Sequence, residues 1–224
     1  MGLFFKYIRF VLIAGIVNIA SPPASAAETI RLLLLGDSLT AGLGLTRETS
    51  YPARLETALS DRGIDARVIN AGVSGDTSAG GLARIDWLLA EKPDAVIIEL
   101  GANDGLRGFN PKATEENLDA IMGRIKDKGI KVMLCGMLAP PNLGREYGAE
   151  FNAIYPRLAD KHGSILYPFF LEGVATKQHL NLEDGIHPNA AGVDIIVEGI
   201  LPYVIKLLEA DPRQSGQPLS PAPS

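Results

Sequence analysis

Short apolar runs alternate with amphipathic segments along most of the chain, and this alternation constrains the fold more than any other feature. Five apolar runs have the length and composition of buried strands: "TIRLLLL", "ARVINAG", "DAVIIEL", "IKVMLCGM" and "SILYPFF". Strands that alternate with helices are joined by crossover connections, which build a parallel sheet with helices on both faces. We therefore predict a three-layer α/β/α sandwich with a central parallel five-stranded sheet, spanning residues 27–210.

The segments between and after these strands have the periodicity and the end signals of amphipathic helices. Helices are predicted at 51–63, 78–92, 114–129, 148–163 and 190–210. Proline lacks the N–H that a helix interior uses and distorts the turn before it. Pro156 therefore predicts an irregularity in the fourth helix, and Pro202 predicts a kink in the last one.

The first residues have the pattern of an export signal. Lys6 and Arg9 precede an apolar stretch at residues 10–19, and the small residues "ASA" end at Ala26. This order of a basic start, an apolar run and a small-x-small site predicts cleavage after Ala26 and a periplasmic or secreted protein. A short membrane anchor is the alternative, but the apolar run is too short to span a bilayer comfortably. No stable membrane span is expected after cleavage.

Composition excludes several functions. The formal net charge is −5, and loss of Lys6 and Arg9 with the signal peptide makes it −7. An acidic chain without a basic tract is a poor partner for nucleic acid, which is bound mainly through its phosphates.

Cys135 is the single cysteine and lies in an apolar run, so we expect a buried thiol and no intramolecular disulfide. The tail at 211–224 is rich in Pro, Ser and Gly and is predicted to be disordered.

Glycine and small polar residues follow the predicted strands. The loops after the first three read "GDSLTAGLG", "NAGVSGDTS" and "GANDGLRGFNP", and "LEDGIHPNAAG" precedes the last helix. The carboxyl ends of parallel strands meet at one edge of the sheet, where the ligand sites of such folds lie. The polar residues of these loops are therefore expected to share one site.

These loops contain the groups that acyl transfer by a serine requires. Ser38 supplies a hydroxyl, His187 is the best base of the three histidines, and Asp184 can orient that histidine. The backbone N–H groups of Ser38 and Gly75 and the side-chain amide of Asn103 can form an oxyanion hole. Because histidine must be neutral to act as a base, activity is expected to rise as an ordinary histidine loses its proton, near about pH 6.5.

Each motif also has a purely structural interpretation. Gly-Asp-Ser and Gly-Ala-Asn-Asp are common turn sequences, Asp184 can cap a turn, and His187 can be a simple loop residue. The remaining histidines fit such roles better, since His162 ends a helix and His179 lies in an irregular stretch. The joint occurrence of all the motifs, each beside its own strand, favours the catalytic interpretation.

In order and residue type the blocks "GDSLT", "NAGVSGDTS", "GAND" and "DGIHP" resemble those of the SGNH hydrolases, also called the GDSL family. The resemblance covers almost the whole predicted domain. It is closest to a bacterial periplasmic group of thioesterases, lysophospholipases and arylesterases. It implies a flavodoxin-like sheet, no cofactor, a Ser38–His187–Asp184 triad, and oxyanion donors from Ser38, Gly75 and Asn103. Ala102 stands where many relatives have glycine, at the variable position of its block.

The resemblance implies a small-molecule ester, thioester or lysophospholipid substrate. Apolar residues on two loops near the predicted site can line a groove for an acyl chain; they are Leu106, Phe109, Leu138, Pro140 and Leu143. Ordinary surface loops are the alternative. No metal site is predicted, because no two histidines have ligand spacing and the carboxylates do not cluster with them. We expect a monomer.

Two other functions are compatible with the same motifs. One is a carbohydrate O-deacetylase of the same family, which the apolar loops and the few aromatic platforms disfavour. The other is a catalytically silent protein that binds acyl groups or lipids in the same fold. The intact set of five predicted site residues favours an enzyme over the silent protein.

Overall fold

The computed structural model describes residues 29–209. The predicted signal peptide and the predicted tail at 211–224 lie outside the described residues. The central sheet has five strands: β1 (Ile30–Gly36), β2 (Ala66–Gly72), β3 (Ala95–Glu99), β4 (Lys131–Cys135) and β5 (Ile165–Tyr167). All neighbouring strands pair in parallel, in the order β2-β1-β3-β4-β5. This is the flavodoxin-like order, so the predicted parallel five-stranded sheet is confirmed.

Helices cover both faces of the sheet. Within the described residues they are α1 (Ser38–Ala41), α2 (Tyr51–Ser60), α3 (Ser78–Leu89), α4 (Ala102–Leu106), α5 (Pro111–Lys126), α6 (Arg145–Asn152), α7 (Ile154–His162) and α8 (Ala190–Glu209). Helices α2 and α8 pack together in one layer, and α3, α5 and α7 pack together in the other. No helix within residues 29–209 combines the length and the apolar character that a membrane span requires.

Burial of the central strands explains their sequences. The four leucines of β1, at positions 32–35, are at most 1% exposed, and every residue of β3 is buried. A strand covered by helices on both faces cannot alternate apolar with polar residues, so continuous apolar runs are required. Cys135 ends β4 and is fully buried, as predicted, and burial raises the pKa of its thiol.

The segment predicted as one helix at 148–163 forms two helices, and the irregularity predicted at Pro156 is confirmed as a break just before it. Helix α6 ends at Asn152 and α7 begins at Ile154, with Ala153 as the cap between them. In one continuous helix the ring of Pro156 would clash with the carbonyl of Asn152, four residues earlier. The break places Pro156 in the first turn of α7, where a missing N–H costs nothing. Helix α8, by contrast, continues without a break through Pro202.

Candidate active site

The predicted nucleophile lies at the rim of the sheet. Strand β1 ends at Gly36, and Ser38 is the first residue of α1, a short helix that sequence reasoning missed. Asp37 caps this helix, since its Oδ1 accepts the Leu39 N–H at 3.0 Å. The Ser38 side chain therefore sits at the start of a helix that is anchored directly to a buried strand.

The structure brings the three predicted triad residues together. The Ser38 Oγ lies 2.8 Å from His187 Nε2, and His187 Nδ1 lies 2.6 Å from Asp184 Oδ2. Both distances are those of hydrogen bonds. The imidazole ring thus lies between a hydroxyl and a carboxylate, which is the geometry that serine activation requires.

The Asp184 carboxylate is held in place by its own turn. Its Oδ1 accepts the backbone N–H groups of His187 and Ile186, both at 3.0 Å. These two hydrogen bonds, followed by the hydrogen bond to the His187 ring, lower the pKa of Asp184 to about 2. The carboxylate is consequently ionised at every pH at which a neighbouring histidine can serve as a neutral base.

Two backbone N–H groups near the serine are available as donors. Within the described residues, neither the Ser38 N–H nor the Gly75 N–H donates a hydrogen bond. Gly75 has φ +80°, a left-handed conformation that favours glycine. Because glycine has no side chain, a ligand can approach its backbone N–H closely. The Gly75 carbonyl is held from the other side by Arg107 Nη2 at 2.9 Å.

Asn103 lies in the short helix α4, which directly follows β3. Its Nδ2 donates to Asp37 Oδ2 at 3.0 Å. Because a side-chain amide carries two N–H groups, the second can donate to a developing oxyanion. Asp37 therefore connects the start of the nucleophile helix to the Asn103 amide, a connection that sequence reasoning missed.

Glu99 is a further residue that sequence reasoning missed. It ends β3 with 1% of its surface exposed, and its Oε2 accepts the Asp37 N–H at 3.3 Å and the Thr40 hydroxyl at 2.7 Å. Burial, followed by the nearby Asp37 carboxylate, raises the pKa of Glu99 well above its usual range. A side chain at Gly36 would overlap Thr40 and lie 2.6 Å from Glu99 Oε2, which explains the glycine before Asp37-Ser38. A lone acid in the otherwise apolar "AVIIEL" was the available sequence signal.

Burial of Asp37 predicts a measurable pH dependence of stability. Burial raises the pKa of Asp37 to about 6, although the hydrogen bonds from Leu39 and Asn103 oppose the shift. From the ordinary value of 3.8 up to about 6 the unfolded chain ionises first, so stability falls as the pH rises. The full shift corresponds to about 3 kcal/mol.

We expect Asp37→Asn to remove this component. Urea unfolding of the wild type and the variant at about pH 3.5 and pH 8 measures this component. We expect the unfolding free energy of the variant, relative to that of the wild type, to be larger at pH 8 than at pH 3.5. A difference that does not change with pH would contradict the raised pKa.

A third buried carboxylate, after Asp37 and Glu99, joins the loops that carry the candidate oxyanion donors Gly75 and Asn103. Asp104, the residue after Asn103, accepts the Ser78 N–H at 2.9 Å and the Ser78 and Thr114 hydroxyls through its two oxygens. Ser78 begins α3, which follows the Gly75 loop. Asp104 therefore ties the segment that presents Asn103 to the segment that presents Gly75.

The predicted substrate contacts lie in two segments: Leu106 and Phe109 at the end of α4 and in the loop after it, and Leu138, Pro140 and Leu143 after β4. The side chains of Leu106, Phe109 and Leu138 are exposed, with about half of their surface accessible, whereas those of Pro140 and Leu143 are partly buried. Tyr147 Oη donates to the Phe109 carbonyl at 2.8 Å, and this bond fixes the first loop against α6. A side chain at Gly108 would contact Leu143, so the segments after α4 and β4 adjoin at this point.

More apolar surface lies at the same edge than the sequence suggested. Among residues 29–209, eight large apolar side chains are exposed, and six follow strands β1 to β4 or adjoin His187. Leu43, Val73 and Ile186 are the three that were not predicted. A cavity of about 10 Å³ lies beside Ser38 and His187 and has room for about one water molecule.

The chain matches a known enzyme family over most of its length. The GDSL-like lipase/acylhydrolase family matches residues 34–195. The chain therefore belongs to this family, as the resemblance implied. It is accordingly a carboxylic ester hydrolase that acts on small-molecule substrates, and the prediction of an enzyme rather than a silent binding protein is confirmed.

Two bacterial relatives are similar to almost the whole chain. Esterase TesA of Pseudomonas aeruginosa is 44% identical over 202 residues, which cover 89% of this chain and 100% of TesA. Thioesterase 1/protease 1/lysophospholipase L1 of Escherichia coli (strain K12) is 41% identical over 189 residues, which cover 84% of this chain and 88% of that protein. Ester and thioester hydrolases are thus both among the near relatives.

A solved structure supports the fold independently. The psychrotrophic esterase EstA from Pseudoalteromonas sp., solved in a form inhibited by monoethylphosphonate, superposes with a TM-score of 0.76 and 34% sequence identity. The match covers 80% of this chain and 99% of that chain. The predicted three-layer α/β/α fold is therefore confirmed.

Proposed function

We propose that the protein hydrolyses carboxylic esters and thioesters through a Ser38–His187–Asp184 triad and an acyl-enzyme. The single observation that carries this proposal is the pair of hydrogen bonds from Ser38 Oγ to His187 Nε2 and from His187 Nδ1 to Asp184 Oδ2. The proposed base is already within hydrogen-bonding distance of the proposed nucleophile, so proton transfer requires no rearrangement of the two side chains.

The reaction proceeds in two displacements. His187 accepts the Ser38 proton as the Oγ attacks the substrate carbonyl carbon, and the carbonyl oxygen becomes an oxyanion. The N–H groups of Ser38, Gly75 and Asn103 donate to that oxygen. His187 then protonates the departing alcohol or thiol, which leaves Ser38 acylated. A water molecule, deprotonated by His187, attacks the acyl group, and the released proton returns to Ser38.

The exposed apolar surface favours substrates with acyl chains. Leu106, Phe109, Leu138, Pro140 and Leu143 provide contacts for a chain that extends from the serine, and Leu43, Val73 and Ile186 widen the same surface. Aryl esters, acyl-CoA thioesters and lysophospholipids all combine such a chain with an ester or thioester. An open surface with only a small cavity favours tolerance of different leaving groups.

The remaining organisation of the chain belongs to the same proposal. Residues 1–26 serve as a signal peptide that is removed on export, and residues 27–210 form the hydrolase domain. The mature enzyme acts in the periplasm or outside the cell, as a monomer. Support comes from the basic-apolar-small order of the first residues.

Hydrolysis of p-nitrophenyl esters with acyl chains from acetyl to palmitoyl tests the proposed substrate class. We expect kcat/KM to rise from acetate to medium or longer chains, because each additional buried methylene contributes about 0.8 kcal/mol. Activity confined to acetate would instead indicate the deacetylase alternative. A parallel acyl-CoA series measures the thioesterase activity.

The apolar surface yields a prediction of its own. Phe109→Ala is expected to lower kcat/KM for a decanoyl ester about 10-fold while leaving acetate hydrolysis nearly unchanged, since only the long chain reaches the lost ring. Trp87→Ala is the matched control, because Trp87 is an exposed aromatic residue (72%) near the C-terminal end of α3, whereas the Gly75 loop precedes the N-terminal end of this helix. Equal losses on both esters, or an equal loss in the Trp87 variant, would contradict this role of Phe109.

A further inference from the structure

One arginine joins the two loops that present the backbone oxyanion donors. Arg84 lies on α3, and each of its three guanidinium nitrogens donates a hydrogen bond. Nε donates to Asp76 Oδ2 at 2.8 Å, Nη1 to the Ala71 carbonyl at 2.7 Å, and Nη2 to the Gly36 carbonyl at 3.0 Å. The Arg84 side chain is only 21% exposed and that of Asp76 only 11%.

The acceptors lie beside the candidate donors. Gly36 ends β1 two residues before Ser38, and Asp76 directly follows Gly75. The Asp76 carboxylate is fixed on its other oxygen by the Thr77 N–H at 3.0 Å. A side chain at Gly80 would overlap that oxygen, so this glycine of α3 leaves room for the carboxylate. The Arg84 guanidinium thus joins the segment before Ser38 to the segment after Gly75.

The chemistry of the contact requires an arginine. A planar guanidinium presents donors in fixed directions, whereas a lysine ammonium is a compact charge that cannot reach three separated acceptors in one plane. Two of the three acceptors are backbone carbonyls at the ends of β1 and β2, so the contact fixes the main chain rather than a surface side chain. A loop displacement of about 1 Å can cost a hundredfold in rate when it misplaces groups that act on the transition state.

We propose that Arg84 is a positioning residue of the oxyanion hole, which fixes the Gly75 N–H relative to the Ser38 N–H. The inference rests on the proposed function, because it assumes that both groups donate to the oxyanion. Loss of the guanidinium weakens the hydrogen bonds from the two N–H groups to the oxyanion, which forms only in the transition state. Binding of the ground-state ester is affected less. The loss therefore lowers kcat and leaves KM nearly unchanged.

Steady-state kinetics of the full chain test the proposal, with active sites counted by fluorophosphonate titration. We expect Arg84→Ala to lower kcat per active site about 10- to 100-fold, with KM for a p-nitrophenyl ester within about 3-fold of the wild type. Added guanidinium chloride is expected to restore part of kcat, because the partly exposed site admits the small ion, whereas sodium chloride is not. Arg124→Met is the control, since Arg124 also pairs with a carboxylate, Asp86, but does so on the surface.

Arg84→Lys separates positioning from folding. It keeps the positive charge beside Asp76 and is expected to unfold within a few degrees of the wild type, yet to lose at least about 10-fold in kcat because it cannot hold both carbonyls. If Arg84→Ala does not fold, this variant alone decides. Unchanged kcat in Arg84→Lys, or a loss that falls on KM instead, would overturn the inference. A wild-type protein whose hydrolysis does not depend on Ser38 would instead overturn the proposed function.

Discussion

Ser38→Ala is expected to lower kcat for p-nitrophenyl ester hydrolysis by about 10⁴- to 10⁶-fold, the range found when a triad nucleophile is removed. In the proposed mechanism the Oγ is the atom that bonds to the acyl group, and within residues 29–209 no other hydroxyl lies within hydrogen-bonding distance of His187. The remaining oxyanion donors and the apolar surface are left intact. Substrate binding should therefore persist, while turnover is lost.

Ser60→Ala is the matched control, because Ser60 is an exposed serine at the end of α2. Both variants should unfold at nearly the same temperature as the wild type, so that the loss in the first cannot be attributed to misfolding. Wild-type rates in Ser38→Ala would show that a different group performs the attack.

Asp184→Asn is expected to produce the second largest loss, about 10³- to 10⁴-fold in kcat. An amide can still accept the Ile186 and His187 N–H groups through its oxygen, so the turn keeps its shape. Its NH₂ group then faces His187 Nδ1 and forces the proton onto Nε2, the nitrogen that must accept the Ser38 proton. The variant would hold a correctly placed histidine in the wrong tautomer.

Asp194→Asn is the control for this second prediction, since Asp194 also pairs with a cation, Arg54, but on the exposed face of α8. Its kcat should equal that of the wild type. Because the pKa of Asp184 is about 2, we expect the loss in Asp184→Asn to be of similar size from about pH 5 to pH 9. A loss smaller than about 10-fold would mean that Asp184 does not fix the tautomer.

The fold could be predicted because the central strands β1, β3 and β4 are buried on both faces and therefore have a distinct composition. β1 and β2 begin and end close to where the apolar runs predict. The break between α6 and α7 was harder to predict, since Pro156 is tolerated in a first turn and the sequence alone does not say where a turn begins. The two short helices α1 and α4 were missed because a few residues have no periodicity.

The proximity of Ser38, His187 and Asp184 could be predicted because each lies beside its own strand or turn, in a recognisable motif. Glu99 and Arg84 could not be assigned, since their contacts join segments that are far apart in the chain. Arg84 reaches Gly36 across 48 positions, from a helix in which an arginine looks like an ordinary solvent-facing residue. Such roles depend on the register of packed elements, which the sequence does not state.

The central claim is that Ser38 forms a covalent acyl-enzyme, and mass spectrometry of protein treated with a fluorophosphonate tests it most directly. We predict one phosphonyl group per chain, located on the peptide that contains Ser38, with loss of activity in proportion to labelling. Ser38→Ala should not be labelled. Inactivation with the adduct on another residue, or full labelling of Ser38→Ala, would contradict the claim.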